Sequence, residues 1–230
     1  MFAADQYIQL LSSLPQFAPL FSAKQTPLSR LKLDQRLKLL SPHDQQRLAE
    51  IEAVLEWDNI SLLQESNALT ARFRQVLAIE AGSDIESIIR SRLDMRTLVA
   101  ALNLRANGKQ PEGDWTASEL KRSIERNWQS PTFKLEHHYS WLKQAVQYFN
   151  SGQYLLLEKL LFNEIWKYLQ SHPSRRQYSF TSVVIYVLQW DVASRWLSYD
   201  SQAALVRFNL LLESALPSKE QFSELTVYSS

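Results

Sequence analysis

The chain has 230 residues, 45% hydrophobic and 21% charged, enough to build one domain or two small ones with real cores and too apolar to stay disordered. Twenty-five Lys and Arg against 24 Asp and Glu leave a net charge of +1, which argues against a dedicated nucleic-acid surface or a polybasic membrane arm. With no cysteine there are no disulfides, thiolate chemistry or cysteine-ligated metal sites, and four glycines are too few for phosphate-cradling loops, dinucleotide turns or nucleophile elbows.

Helix signals then follow one another along the chain. A short N-terminal helix leads into a polar, proline-bearing linker over 22–29, and Leu33, Leu37 and Leu40 line one face of the next helix. Ser41-Pro42-His43-Asp44 supplies an N-cap serine, a proline at the first helical position and an acid three residues after the cap. Leu48, Ile51, Val54 and Leu55 line the helix it opens. Ser83-Asp84-Ile85-Glu86 reads as a capping box before a longer helix marked by Ile85, Ile88, Ile89, Leu93 and Leu98, which Asn107-Gly108 stops. The stretch 106–116 holds two glycines and a proline and is the best boundary, followed by a second capping box at Thr116-Ala117-Ser118-Glu119.

Asn150-Ser151-Gly152 ends another helix. Over 155–169 the apolar stripe widens to Leu157, Leu160, Leu161, Phe162, Ile165, Trp166 and Leu169, as expected of a central bundle helix touching two neighbours. His172-Pro173 stops it within a basic loop, 171–177. Residues 180–187 are β-branched and aromatic, which favours strand. They read as helix because they run unbroken into 191–197, where Asp191 and Arg195 sit four apart with the acid first. Asp200 is expected to cap a last helix over 201–215, closed by Pro217.

The expected fold is therefore all-α: helical bundles in two repeated units, 1–108 with a hairpin-like segment 1–40 and 109–230, or one continuous domain. Val54-Leu55-Glu56-Trp57-Asp58 and Val187-Leu188-Gln189-Trp190-Asp191 echo each other, as repeated units would. No apolar run approaches the roughly 20 residues of a membrane span, and no signal peptide is read, so a soluble cytoplasmic protein is expected.

Three segments carry a resemblance. Tyr7-Ile8-Gln9-Leu10-Leu11-Ser12-Ser13-Leu14-Pro15 with Pro27-Leu28-Ser29 resembles the start of a bacterial family of short proteins related to the C subunit of V-type ATPases. The segment from Phe180 through Val187-Leu188-Gln189-Trp190-Asp191, Arg195-Trp196 and Tyr199-Asp200 is similar to a helix of those proteins. Arg92-Leu93-Asp94-Met95-Arg96-Thr97-Leu98 looks like the repeat of the C subunit itself, known as d in eukaryotes. The resemblance implies two such units in a non-catalytic socket on the membrane rotor ring. A socket of this kind receives the central stalk and couples the ATP-hydrolysing head to ion transport. It would be cytoplasmic, held at the inner face of the membrane through its partners. The ATPase protein proper is longer, with three bundles.

No constellation of residues points to chemistry or a cofactor. His137-His138 are adjacent and point about 100° apart on a helix, so they cannot share one metal. Asp58, Asp94, Asp191 and Asp200 lack any pattern of paired acid–base carboxylates. Trp57, Trp166, Trp190 and Trp196 lie in apolar stripes and read as core, while Trp115, Trp128 and Trp141 flank loops and read as partly exposed partner contacts. Arg30, Lys32, Arg36 and Lys38 decorate one helix; Arg90, Arg92 and Arg96 share another. In a socket, Arg92 and Arg96, with Arg195, would face an acidic stalk foot. The expected function is thus a contact-making rotor socket, the alternative being a free-standing helical adaptor.

Overall fold

The structure, a computed structural model, describes the backbone of residues 3–56, 67–112 and 115–215 and the side chains of 5–56, 68–112 and 115–199. In chain order the elements are α1 (Ala3–Ser13), a 3₁₀ turn (Leu20–Ser22), α2 (Arg30–Leu37), α3 (Pro42–Leu55), α4 (Asn67–Ile79) and α5 (Asp84–Ala106). Then come α6 (Lys121–Arg126), α7 (Leu142–Asn150), α8 (Tyr154–Ser171), a second 3₁₀ turn (Pro173–Arg176) and α9 (Phe180–Ala215). Among the described residues there is no strand, and no helix is long and apolar enough to cross a membrane.

Local chemistry sets the helix ends. The Ser41 hydroxyl accepts from the Asp44 amide at 3.1 Å, with Pro42 at the first helical position. Past α5, Gly108 at φ 67° lets its amide reach the Arg105 carbonyl and the Lys109 amide reach Leu104, closing the last turn with both hydrogen bonds of a Schellman motif. Gly152, at φ 68°, closes α7 in the same way through Phe149 and Tyr148. The two capping boxes depart from the expected pattern. Glu86 takes the Gly82 amide at 2.6 Å, while the Ser83 hydroxyl turns to Glu80. At 116–119 the box does not form. Thr116 Oγ1 accepts from the Ser118 amide, Ser118 Oγ accepts from the Leu120 amide, and α6 starts only at Lys121.

The β-branched run 180–187 is helical, and its packing explains why. Val183, Val184, Ile185, Val187 and Leu188 are all buried, with Ser182 and Gln189, so the first half of α9 is enclosed on nearly every side and needs cover there. Helices α1, α3, α5 and α8 and both 3₁₀ turns supply it. Helix α8 packs on both α7 and α9, the position expected for a central helix. The Trp190 indole donates to the Leu28 carbonyl at 2.8 Å, and the Tyr186 hydroxyl to Pro15 at 2.9 Å, so the segment between α1 and α2 is tied across α9. Phe17 packs edge-on against Trp166 and at a tilt against Tyr186, and Phe21 meets Trp196 edge-on.

Helix α9 continues to Ala215 without a break, so Asp200 lies inside it and caps no separate helix. Trp57 and Asp58 of the echo, and Pro217, lie outside the described residues. One core cluster runs from Leu10 to Ala193 and includes residues on both sides of 106–116. Arg105, at the end of α5, reaches across that connection. It donates to the carbonyls of Ser130 and Pro131, both at 2.6 Å, with its guanidinium over Phe133.

A second tie joins α3, the residue after α4 and the start of α9. Arg47 binds Glu80 through both carboxylate oxygens, at 3.0 and 2.8 Å, and lies over the Phe180 ring. Glu80 is almost fully buried, so removing its cation leaves a charge with neither water nor a countercharge. Arg47→Ala should destabilise the protein by about 3 kcal/mol in urea unfolding. Arg47→Met with Glu80→Leu should regain part of that loss, because Glu80 no longer leaves a buried charge, while the buried Asp44 carboxylate, 3.6 Å from Arg47, keeps the Tyr7 and Ser41 hydroxyls as donors.

Candidate functional site

Two of the three arginines expected to meet a partner are inside the protein. Arg92 is 8% exposed and Arg96 is 7% exposed. This corrects the expectation of a solvated docking face on α5, and the physical reason lies in the same helix. Leu93, Met95, Leu98, Val99, Ala101 and Leu102 are buried along with them, so 92–102 has no broad face left for solvent. Arg92 Nη2 donates to the Leu55 carbonyl at 3.0 Å, satisfying a carbonyl at the C-terminal end of α3. Its burial lowers its pKa to about 10, leaving it charged at neutral pH. The Arg96 guanidinium lies 5.7 Å from the Phe73 ring centroid, against α4. Between them Asp94 accepts from Ser118 Oγ at 2.5 Å and Tyr139 Oη at 2.8 Å, and burial raises its pKa. The remaining arginine of the expected group, Arg90, is the outward one and pairs with Glu86 and Glu119.

The tryptophans are corrected likewise. Trp115 is 3% exposed, its indole donating to Glu125 at 3.0 Å, and Trp141 is 8% exposed. Only Trp128 of the three keeps a half-buried position, beside Phe133. A place next to a loop suggests exposure, but here the loops fold over their own aromatics. Of the tryptophans read as core, Trp166 and Trp190 are buried and Trp196 is half-buried, while Trp57 lies outside the described residues. His137 and His138 are both exposed.

Arg195 is the one expected contact arginine that lines an open cleft. The cleft, about 580 Å³, lies between α3 and α9 and is bordered by Arg30, Glu52, Glu56, Trp190, Asp191 and Arg195. Arg30 organises it. Its guanidinium reaches Glu52 at 2.7 and 3.3 Å, Asp34 at 2.8 Å and Asp191 at 3.5 Å, and lies over the Trp190 ring. Arg195 sits 5.3 Å from the Tyr199 ring centroid. Asp191, expected to pair with Arg195, pairs with Arg30. Sequence alone places Arg30 on a solvated face and Trp190 in the core. It gives no sign of the cleft, because Arg30, Glu52 and Asp191 are far apart in the chain and meet only through packing.

Asp191 is the perturbed group of the cleft. The walls around it strip away much of its water and raise its pKa, and the Glu52 and Glu56 carboxylates add to the rise. Arg30 and Arg92 oppose it, leaving the group at about 7. A strongly shifted carboxyl in a cleft marks a candidate site. Among the described residues there is no group of three or more His, Asp or Glu placed to hold a metal ion. The chain matches no protein-family model, no curated protein and no solved structure.

Both the buried arginines and Asp191 can be checked by unfolding. Arg92→Glu with Arg96→Glu puts two carboxylates into the core and should abolish cooperative folding, read by circular dichroism and thermal melting. For Asp191 the sign is set by its raised folded pKa. Below about pH 4 the carboxyl is neutral in both states and its folded form carries no penalty. As pH rises towards 7 the unfolded chain ionises first, so stability falls, and it levels above 7. Urea unfolding of Asp191→Asn should lose this part of the slope, gaining on the wild type as pH rises from about 4 to about 8. An unchanged difference across that range would contradict the assignment.

Proposed function

We propose that the protein works by contact, as a helical subunit that docks a protein partner and forms no bonds itself. The observation that carries this reading is the cleft between α3 and α9. Three helices, α2, α3 and α9, present Arg30, Glu52, Asp191 and Arg195 beside Trp190, a mixed-charge surface with an aromatic side chain in its lining. Arginine and tryptophan are the side chains on which contact surfaces most often depend. Wide apolar helix faces locked by aromatics also give stiffness, which a part that transmits force requires.

The resemblance at 7–15, 92–98 and 180–200 supports a particular partner. On that reading the protein is a central-stalk, rotor-socket component of a bacterial V-type-like ATPase. It would join the ATP-hydrolysing head to the membrane ring and so to ion transport, in the cytoplasm at the inner face of the membrane. The second reading is a free-standing helical adaptor. It is favoured by the burial of Arg92 and Arg96, which takes away the docking arginines that the socket would place on α5.

Affinity purification of the tagged protein from its own cells separates the readings. Stalk and ring proteins co-purifying in fixed ratio support the socket, and another protein in fixed ratio supports the adaptor. Nothing co-purifying overturns the contact reading. Ala49→Arg should sharpen the result, because Ala49 is exposed on the cleft wall and a long side chain there fills the opening. Its stability should change by no more than about 0.5 kcal/mol, as for surface substitutions in general, while the co-purifying partner is lost.

A further inference from the structure

A second groove differs from the cleft in charge: among the described residues, every ionised group that lines it is a cation. It runs between the end of α1 with the segment after it and the 3₁₀ turn leading into α9. Leu14, Phe17, Ile185, Tyr186, Arg175 and Arg176 line it, with the Phe17 and Tyr186 rings in contact. Among the described residues, no Asp or Glu lines it. Arg175 and Arg176 are exposed, and among the described residues neither guanidinium has an ion-pair partner. Arg30, Arg47 and Arg90 each tie one element to another through carboxylates, whereas these two meet no carboxylate among the described residues.

The turn that carries them is held from below. Ser174 is buried and donates to Asp84 Oδ2 at 2.5 Å, and its amide is taken by His172 Nδ1. Ser182 donates back to the carbonyls of Ser174 and Gln177. The two arginines are therefore anchored at their backbone before any ligand arrives, which lowers the ordering cost of binding. At the base of the groove lies an independent sign of a missing acceptor. Gln189 is 2% exposed, lines the groove, and its Nε2 has no hydrogen-bond partner among the described residues. Buried amide donors are almost always bonded, and leaving one unmade is expensive.

We infer that this groove binds an acidic segment of a partner protein, its carboxylates on Arg175 and Arg176, an apolar side chain against Phe17 and Tyr178, and an acceptor on the Gln189 amide. Carboxylates suit the arginines because the guanidinium fork takes both oxygens at once. A peptide suits the groove better than a small anion because apolar and aromatic side chains, the half-buried Phe17 and the exposed Tyr178 among them, line it beside the two arginines. The inference rests on the reading of the protein as a contact-making subunit, and supplies a cationic docking face that Arg92 and Arg96 do not.

The test uses the full chain and a fluorescein-labelled peptide of repeating Glu-Glu-Leu units, with a Lys-Lys-Leu peptide as control, followed by anisotropy. The acidic peptide should bind and the basic one should not. Arg175→Glu with Arg176→Glu should weaken binding at least about tenfold, the scale of losing charge-assisted hydrogen bonds, with circular dichroism and melting unchanged because both side chains are exposed. Gln189→Leu should weaken it about threefold while melting at or above the wild-type temperature. Binding that survives the double substitution, or no binding at all, overturns the groove. So does full displacement of the peptide by millimolar inorganic phosphate, which would reduce it to a simple anion site. Failure of the contact reading looks different: the wild-type protein then co-purifies with nothing, whatever the peptide does. A partner retained equally by wild type and the double arginine variant overturns the groove alone.

Discussion

The need to cover the first half of α9, residues 180–193, on nearly all sides governs this structure. A helix with a single apolar stripe can lie on a surface, but one that is apolar around its circumference must be enclosed. Between Phe180 and Ala193 nearly every side chain of α9 is buried, polar Ser182 and Gln189 included. The rest of the fold is arranged as that enclosure. Helix α8 takes one side, α3 and α5 another, and the chain between α1 and α2 closes the last by hydrogen bonds from Tyr186 and Trp190. Both grooves are seams of this enclosure, places where covering elements meet α9 and leave its polar residues within reach. That is why Asp191 and Gln189, two residues apart on one helix, serve different openings.

Charge inside the protein obeys the same constraint. Arg92, Arg96 and Glu80 are buried, yet each has a named role: a helix-end carbonyl, an aromatic face, a bidentate partner. A buried charge without such partners would be strongly destabilising, so these groups fix where α3, α4 and α5 sit relative to one another. The exposed cations do the opposite. Arg175 and Arg176 contribute nothing evident to packing and are held out by a turn anchored through its own hydrogen bonds. Position in the fold, not residue type, separates structural arginines from those available to a partner.

Local signals in the sequence carry the helix architecture. The Ser41 cap, the Asn107-Gly108 stop and the Gly152 turn all involve residues within a few positions, so their chemistry is visible in a short window. Residues 180–187 are helical for a non-local reason, since burial on nearly all sides overrides the strand preference of valine and isoleucine. The arginines of α5 show the limit. Arg92 and Arg96, one turn apart, suggest a polar stripe. The apolar residues interleaved with them over 93–102 leave no such stripe, and weighing these places the arginines inside. The Arg30–Glu52–Asp191 cluster leaves no comparable trace, because it exists only once α2, α3 and α9 are packed together.

The division between buried and available arginines is the claim on which the functional reading turns, and dicarbonyl labelling measures it directly. Phenylglyoxal modifies accessible guanidinium groups, and peptide mass spectrometry reads the extent at each site over time. In the native protein Arg175 and Arg176 should be modified first, Arg30 and Arg90 more slowly behind their carboxylates, and Arg92 and Arg96 only after unfolding in urea. Modification of Arg92 and Arg96 at the rate of Arg175 and Arg176 in the native protein would contradict the account, returning α5 to the surface and the docking face with it.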